Sequence, residues 1–152
     1  MALSRVVVAR PYDRRIRERM FESLNRAGLE IDARDVIAGG TPDPEVSERL
    51  SASGAYVLLV PFHAHRDSGG QVVNGLDFLR YLSETKPGAV RRPILMPISS
   101  AGMAAASLML TKSGQPGDLD DELTQRVLFL PEAELDDPGL ARRIRVHVDT
   151  HA

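Results

Sequence analysis

Apolar residues along this chain follow two kinds of pattern, short continuous runs and stripes that recur every three or four positions. The first run, Val6-Val7-Val8-Ala9, is apolar and β-branched, the composition of a strand buried on both faces of a parallel sheet. Asp13 then caps a stretch in which Ile16, Met20, Leu24 and Ala27 mark one helical face with charges between them, and Gly28 stops it. Residues 29–32 read as a short second strand. Residues 33–43 read as a loop whose Gly39-Gly40-Thr41-Pro42 stretch continues neither element, and residues 45–52 as a short helix burying Val46 and Leu50. The run Tyr56-Val57-Leu58-Leu59-Val60 is the clearest strand, halted by Pro61, which cannot donate to a ladder.

A loop over residues 62–70 leads into a helix predicted over 72–84, with Val72, Leu76, Leu79 and Leu82 as its stripe and Lys86-Pro87-Gly88 as its end. Pro93-Ile94-Leu95-Met96-Pro97-Ile98 predicts a fourth strand, and residues 103–110, rich in Ala and Met, a short buried helix. Residues 115–121 form a polar loop before a fifth strand, Val127-Leu128-Phe129-Leu130, ended by Pro131; Leu140, Ile144 and Val148 mark a C-terminal helix. Strands alternate with helices throughout, and a strand returning to a parallel neighbour needs a crossover of this length. The order therefore predicts an α/β, doubly wound, mainly parallel five-stranded sheet with helices on both faces.

Composition narrows the picture. At 152 residues the chain has the size of one domain, taken here as residues 1–152, with no internal repeat and no dividing linker. With four Phe, three Tyr and no Trp the core is mostly aliphatic. A formal charge of -2 supplies no field for nucleic acid, and Arg14, Arg15, Arg17 and Arg19, interleaved with Glu18 and Glu22, read as a solvated helix face. The absence of cysteine removes disulfides, thiolate metal sites and Cys nucleophiles. No signal segment and no long apolar window stands in the sequence, so the expectation is a cytoplasmic protein without membrane partners.

The segments Val6-Val7-Val8-Ala9-Arg10-Pro11-Tyr12-Asp13, Ala27-Gly28-Leu29-Glu30-Ile31, residues 32–40 and Ser51-Ala52-Ser53-Gly54 running into the strand at 56–60 together resemble a bacterial TIR domain over roughly residues 5–82. The Ala9-Arg10-Pro11 ending is also similar to the nucleoside 2-deoxyribosyltransferase-like proteins. The resemblance implies a flavodoxin-like fold and a role in nucleotide signalling or bacterial defence. The implied reaction is cleavage of the N-glycosidic bond of NAD or a related nucleotide, as an NAD nucleosidase-type hydrolase. Both groups rely on a glutamate early in the helix after the third strand. Here that helix reads Val72-Val73-Asn74-Gly75-Leu76-Asp77, so its carboxylate is Asp77, one methylene shorter.

In such sheets ligands bind beyond the carboxyl ends of the strands. Asp77 is the candidate catalytic carboxylate that steadies an oxocarbenium-like centre, Tyr12 or Phe62 a stacking surface and Arg10 a phosphate partner. Asp35, in the loop after the second strand, joins the set of ligand-binding candidates. Ser99, Ser100 and Gly102, at a helix start, form an anion cradle. NAD enters as substrate, with no bound cofactor and no metal assigned, although His63, His65 and Asp67 alternate so as to face one way in an extended loop. His147 and His151 carry no assigned role. Two other readings stand beside the enzyme: an inactive TIR-like module that binds itself or other TIR-like domains through residues 32–42, and a deoxyribosyltransferase-like or nucleotide-sensing protein. A phospho-acceptor domain would want clustered acidic residues after the first strand, where Ala9-Arg10-Pro11 is basic. No Walker loop, Gly-x-Ser-x-Gly elbow or Gly-x-Gly-x-x-Gly turn is present.

Overall fold

The computed structural model describes residues 5–9, 14–37, 55–63, 65–66, 72–111 and 121–152. Its centre is a five-stranded sheet made of β1 (Arg5–Ala9), β2 (Glu30–Ile37), β3 (Val57–Leu59), β6 (Ile94–Ile98) and β7 (Val127–Pro131), in the order β2-β1-β3-β6-β7. Every pair in it is parallel. This is the flavodoxin-like, doubly wound arrangement expected from the alternation of runs and stripes. Among the described residues no helix is long and apolar enough to cross a membrane.

The two-residue period of the strands sorts side chains to two cores. Val7, Leu58, Ile94, Met96 and Ile98 point to one face, where they meet α2 (Gly75–Thr85), α3 (Ser100–Thr111) and the short α4 (Asp121–Arg126) through residues such as Leu76, Leu79, Leu82, Ala106 and Leu123. Val6, Val8, Val57, Leu59 and Leu95 point to the other, under α1 (Arg14–Arg26) and α5 (Leu140–His151), which contribute Met20, Leu24, Ile144 and Val148.

Local chemistry explains where the elements stop. α1 ends at Gly28, whose φ of 77° lies in the left-handed region. Gly28 N–H donates to the Asn25 carbonyl at 3.0 Å and Leu29 N–H to the Leu24 carbonyl at 2.9 Å, a Schellman ending with Leu24 and Leu29 together in the core. Arg145 of α5 donates from Nη1 to the carbonyl of Ala27 at 3.2 Å, satisfying another terminal acceptor of that helix. The buried Ser23 hydroxyl donates to the Leu135 carbonyl at 2.8 Å. Arg19 grips both carboxylate oxygens of Asp136, so α1 is tied to the turn after β7 at two points.

Three boundaries differ from the sequence reading. β2 runs on to Ile37, and two steps along β1, from Val6 to Val8, are matched by five along β2, from Ile31 to Val36. β2 lies at the edge of the sheet, where charged residues such as Asp32, Arg34 and Asp35 are common. The helix expected from residue 72 starts at Gly75 instead. Val72 and Val73 form β5, paired antiparallel with β4 (His65–Arg66), because Asn74 is the better helix cap. The helix expected from 103 starts at Ser100, and α4 is an addition held to the core through Leu123, which is 2% exposed. The helix predicted over 45–52 lies outside the described residues.

Candidate functional site

The carboxyl ends of β3 and β6 lead into the starts of α2 and α3, and these four ends meet at one side chain. Phe62 follows β3 and is only 6% exposed. Its N–H donates to the Pro97 carbonyl at 2.9 Å and its carbonyl accepts from Gly75 N–H at 3.1 Å, so the backbone is fixed on both sides. Two glycines make room for it. A Cβ at Gly75 would lie 2.7 Å from the Pro61 carbonyl oxygen and 3.0 Å from the Phe62 Cα; one at Gly102 would lie 2.9 Å from the Phe62 ring and 2.8 Å from Ile98 Cγ1. The first turns of both helices thus close directly over the phenylalanine. A ring enclosed in this way is core, and it presents no stacking face to a nucleotide base.

The polar groups flanking this plug are engaged in holding the helices. Asn74 is the N-cap of α2: its side-chain Oδ1 accepts from Asp77 N–H at 3.0 Å, and Asp77 Oδ2 accepts from Asn74 N–H at 3.1 Å. This reciprocal capping box satisfies two backbone donors that the first turn leaves open, and it places an acidic group at the positive end of the helix dipole. The second carboxylate oxygen of Asp77 lies 3.8 Å from Arg80 Nη1. Ser99 does the same work at α3. Its hydroxyl accepts from Gly102 N–H at 3.0 Å and its carbonyl from Met103 N–H at 2.9 Å. One amide of the expected anion cradle is therefore already bonded within the cap, while Ser100 is exposed.

The remaining candidates are spread apart. Asp35 lies inside β2, one position before Val36 pairs with Val8, rather than in a loop beyond it. Arg10, Tyr12 and Asp67 lie outside the described residues. His63 is exposed beside the plug and His65 begins the β4–β5 ribbon. Among the described residues there is no group of three or more His, Cys, Asp or Glu placed to hold a metal ion.

Elsewhere, burial has shifted three groups. Tyr56, 1% exposed at the start of β3, has its phenol pushed up by desolvation, and the Arg92 guanidinium stacked 3.7 Å from its ring centre is pushed down by its own burial. His147 of α5 donates from Nε2 to the Arg126 carbonyl at 2.7 Å, where α4 hands over to β7; a carbonyl only accepts, which fixes the tautomer. Burial pushes this imidazole down, hydrogen bonding to the Arg126 backbone opposes the shift, the His151 ring 4.6 Å away adds to it, and the Ile94 backbone opposes it.

One surface escaped the sequence reading. α3 carries no charged residue from Ser100 to Thr111. It buries Ala106, yet it leaves Ala101, Ala104 and Ala105 in solvent and Leu108 65% exposed. The exposed Val72 of β5 stands two residues before Asn74, which touches Met109 of α3. The signal was present in the sequence: a twelve-residue helix without a charge offers water little beyond the hydroxyls of Ser100 and Ser107.

No protein-family model matches the chain, and no curated protein matches it. Among solved structures it is similar to the selenomethionine derivative of the REC domain of AraT, a response regulator from Geobacillus stearothermophilus. The identity is 16%, the TM-score 0.50, and the match covers 97% of each chain. A likeness at that identity carries the fold. It also corrects the expected relation to TIR domains, and with it the expected NAD cleavage, since the similarity found is to a receiver domain and nothing in the comparisons points to NAD chemistry. The physical reason is plain: an apolar β-branched run, a capped helix and a small residue before the next strand are what any buried parallel strand unit requires, so they do not separate one doubly wound family from another.

Proposed function

We propose that this chain is a receiver-like regulatory domain that acts by binding another protein through α3, without taking up a phosphoryl group. The observation that carries the reading is the outer face of α3, uncharged along its whole length with Ala101, Ala104, Ala105 and Leu108 exposed at helical spacing. Such a stripe suits an apolar helix of a partner, with the small residues allowing close approach and Leu108 as the projecting anchor. The rim supports the second half of the proposal. Phosphoryl transfer to a carboxylate needs acidic groups that share a divalent cation at the ends of the strands. Among the described residues β3 continues into Val60, Pro61 and Phe62, all three buried, and in the sequence Ala9 is followed by Arg10-Pro11.

Photo-crosslinking in cells of the source organism tests this, with the reactive group at position 108 and, as a control, at position 122, where the Glu122 side chain is 84% exposed on α4. The reading expects a discrete adduct from 108 and none from 122. Equal labelling at both sites, or none, contradicts it, as does a phosphorylated species after incubation with a small acyl phosphate and magnesium.

A further inference from the structure

Four histidines occur in the sequence, and two of them stand four residues apart on α5. His147 and His151 are both half-buried, and their ring centres lie 4.6 Å apart with the planes tilted by 49°. Side chains on a helix lean toward its N-terminus, so the His151 ring lies over the turn that carries His147. The two rings differ in how they are held. His147 donates from Nε2 to the Arg126 carbonyl at 2.7 Å, so the neutral ring carries its proton there and keeps its lone pair on Nδ1. Arg126 precedes Val127, the register partner of Ile94, whose backbone also acts on this ring. The imidazole is thus steadied by the sheet at the start of β6 and β7.

We propose that His147 and His151 form a two-imidazole site for a divalent transition metal of the Zn²⁺ type, with His147 bound through Nδ1 and water completing the coordination. A histidine that ligates a metal ordinarily donates its other ring N–H to a carbonyl or carboxylate, which fixes the tautomer and raises the basicity of the ligating nitrogen; here the Arg126 carbonyl already takes that N–H. Burial favours the neutral ring, the form a metal requires. The spacing agrees as well. Two imidazoles bound at about 2.0–2.1 Å, with an angle at the metal of about 90–110°, set their ring centres about 4.5–5.2 Å apart. The cation would lie at the last turn of α5, where the helix dipole favours positive charge. With two protein ligands instead of four, the site is an exchangeable one, and the metal pins the end of α5 to the turn from α4 into β7.

The test titrates ZnCl2 into the folded, metal-free full-length chain at pH 7.5 by calorimetry, with MgCl2 as the oxygen-preferring comparison. Zn²⁺ should bind at one equivalent and Mg²⁺ should not. At about 100 times its dissociation constant, Zn²⁺ should raise the thermal midpoint by roughly 5–10 °C. His151→Ala leaves the bond from His147 to Arg126 in place, so the fold is kept, and it should weaken binding by about tenfold or more and remove the rise in midpoint. A chain carrying both His63→Ala and His65→Ala should bind as the wild type does. In nitrogen NMR spectra, Nδ1 of His147 and one ring nitrogen of His151 should shift together while Nε2 of His147 keeps its proton. No saturable binding up to millimolar Zn²⁺, affinity that survives His151→Ala, affinity lost with His63 and His65, or loss of the Nε2 proton each overturns the proposal.

Discussion

On one face of the sheet, α1 and α5 set apolar stripes against Val6, Val8 and Leu59 and turn charged sides outward; on the other, α3 covers the sheet with a helix that has no charged side at all. The outer sides of α1 and α5 are laced with ion pairs, Arg145–Asp149 at 2.7 Å and Arg19–Asp136 at 2.8 Å among them. Such exposed pairs add little stability, but they mark surfaces composed for water. Around α3 the caps and the packing are as well made, with Ser99, Gly102 and Phe62 in close contact, and only the outward residues are unsuited to solvent. The difference separates two kinds of surface: the starts of α2 and α3 are closed by their own caps, whereas the outer side of α3 turns Ala101, Ala104, Ala105 and Leu108 to solvent.

The comparison breaks most sharply at the plug. Phe62→Ala should lower unfolding free energy by about 3–5 kcal/mol in a denaturant titration, because the ring is enclosed by two helix starts that cannot collapse onto the space. Next come the glycines. Gly75→Ala should cost about 1–3 kcal/mol, since its Cβ meets the Pro61 backbone; Gly102→Ala should cost less, its neighbours being side-chain atoms. Asn74→Ala should then lose about 1 kcal/mol by removing the α2 cap, and Asp77→Ala less, because the Asn74 half of the box remains.

The charged face gives the smallest effect, and a signed one. His147 binds its proton less readily in the folded chain than the ordinary value of 6.5, so below that pH the unfolded chain holds more protons than the native one. Stability from this group is complete above about pH 6.5 and is lost as the pH falls. The denaturant midpoint should drop between pH 7.5 and 5.5, and His147→Gln should flatten that part of the profile.

Much of the fold was legible because strands buried on both faces write themselves as apolar runs, as Val57-Leu58-Leu59 and Ile94-Leu95-Met96 do. The start of α2 was misplaced because Val72 fits the stripe of the helix equally well, and only the cap at Asn74 with Asp77 three residues on decides against it. The same capping pair is why Asp77, read as a candidate catalytic carboxylate, stands in the structure bonded to a helix end. α4 gave no signal because a single Leu123 anchors it. The α3 surface was read as simply buried because its missing charges were taken as a mark of burial, and composition does not say which apolar residues the core leaves in solvent.

The measurement that bears most directly on that surface is size-exclusion of native lysate from cells carrying either the wild type or Leu108→Glu. The substitution lies on an exposed position and should change unfolding free energy by no more than about 0.5 kcal/mol. The account predicts that the wild type elutes within a larger complex, while Leu108→Glu elutes at the size of the protein alone. Identical elution of the two proteins, whether both bound or both free, would contradict it.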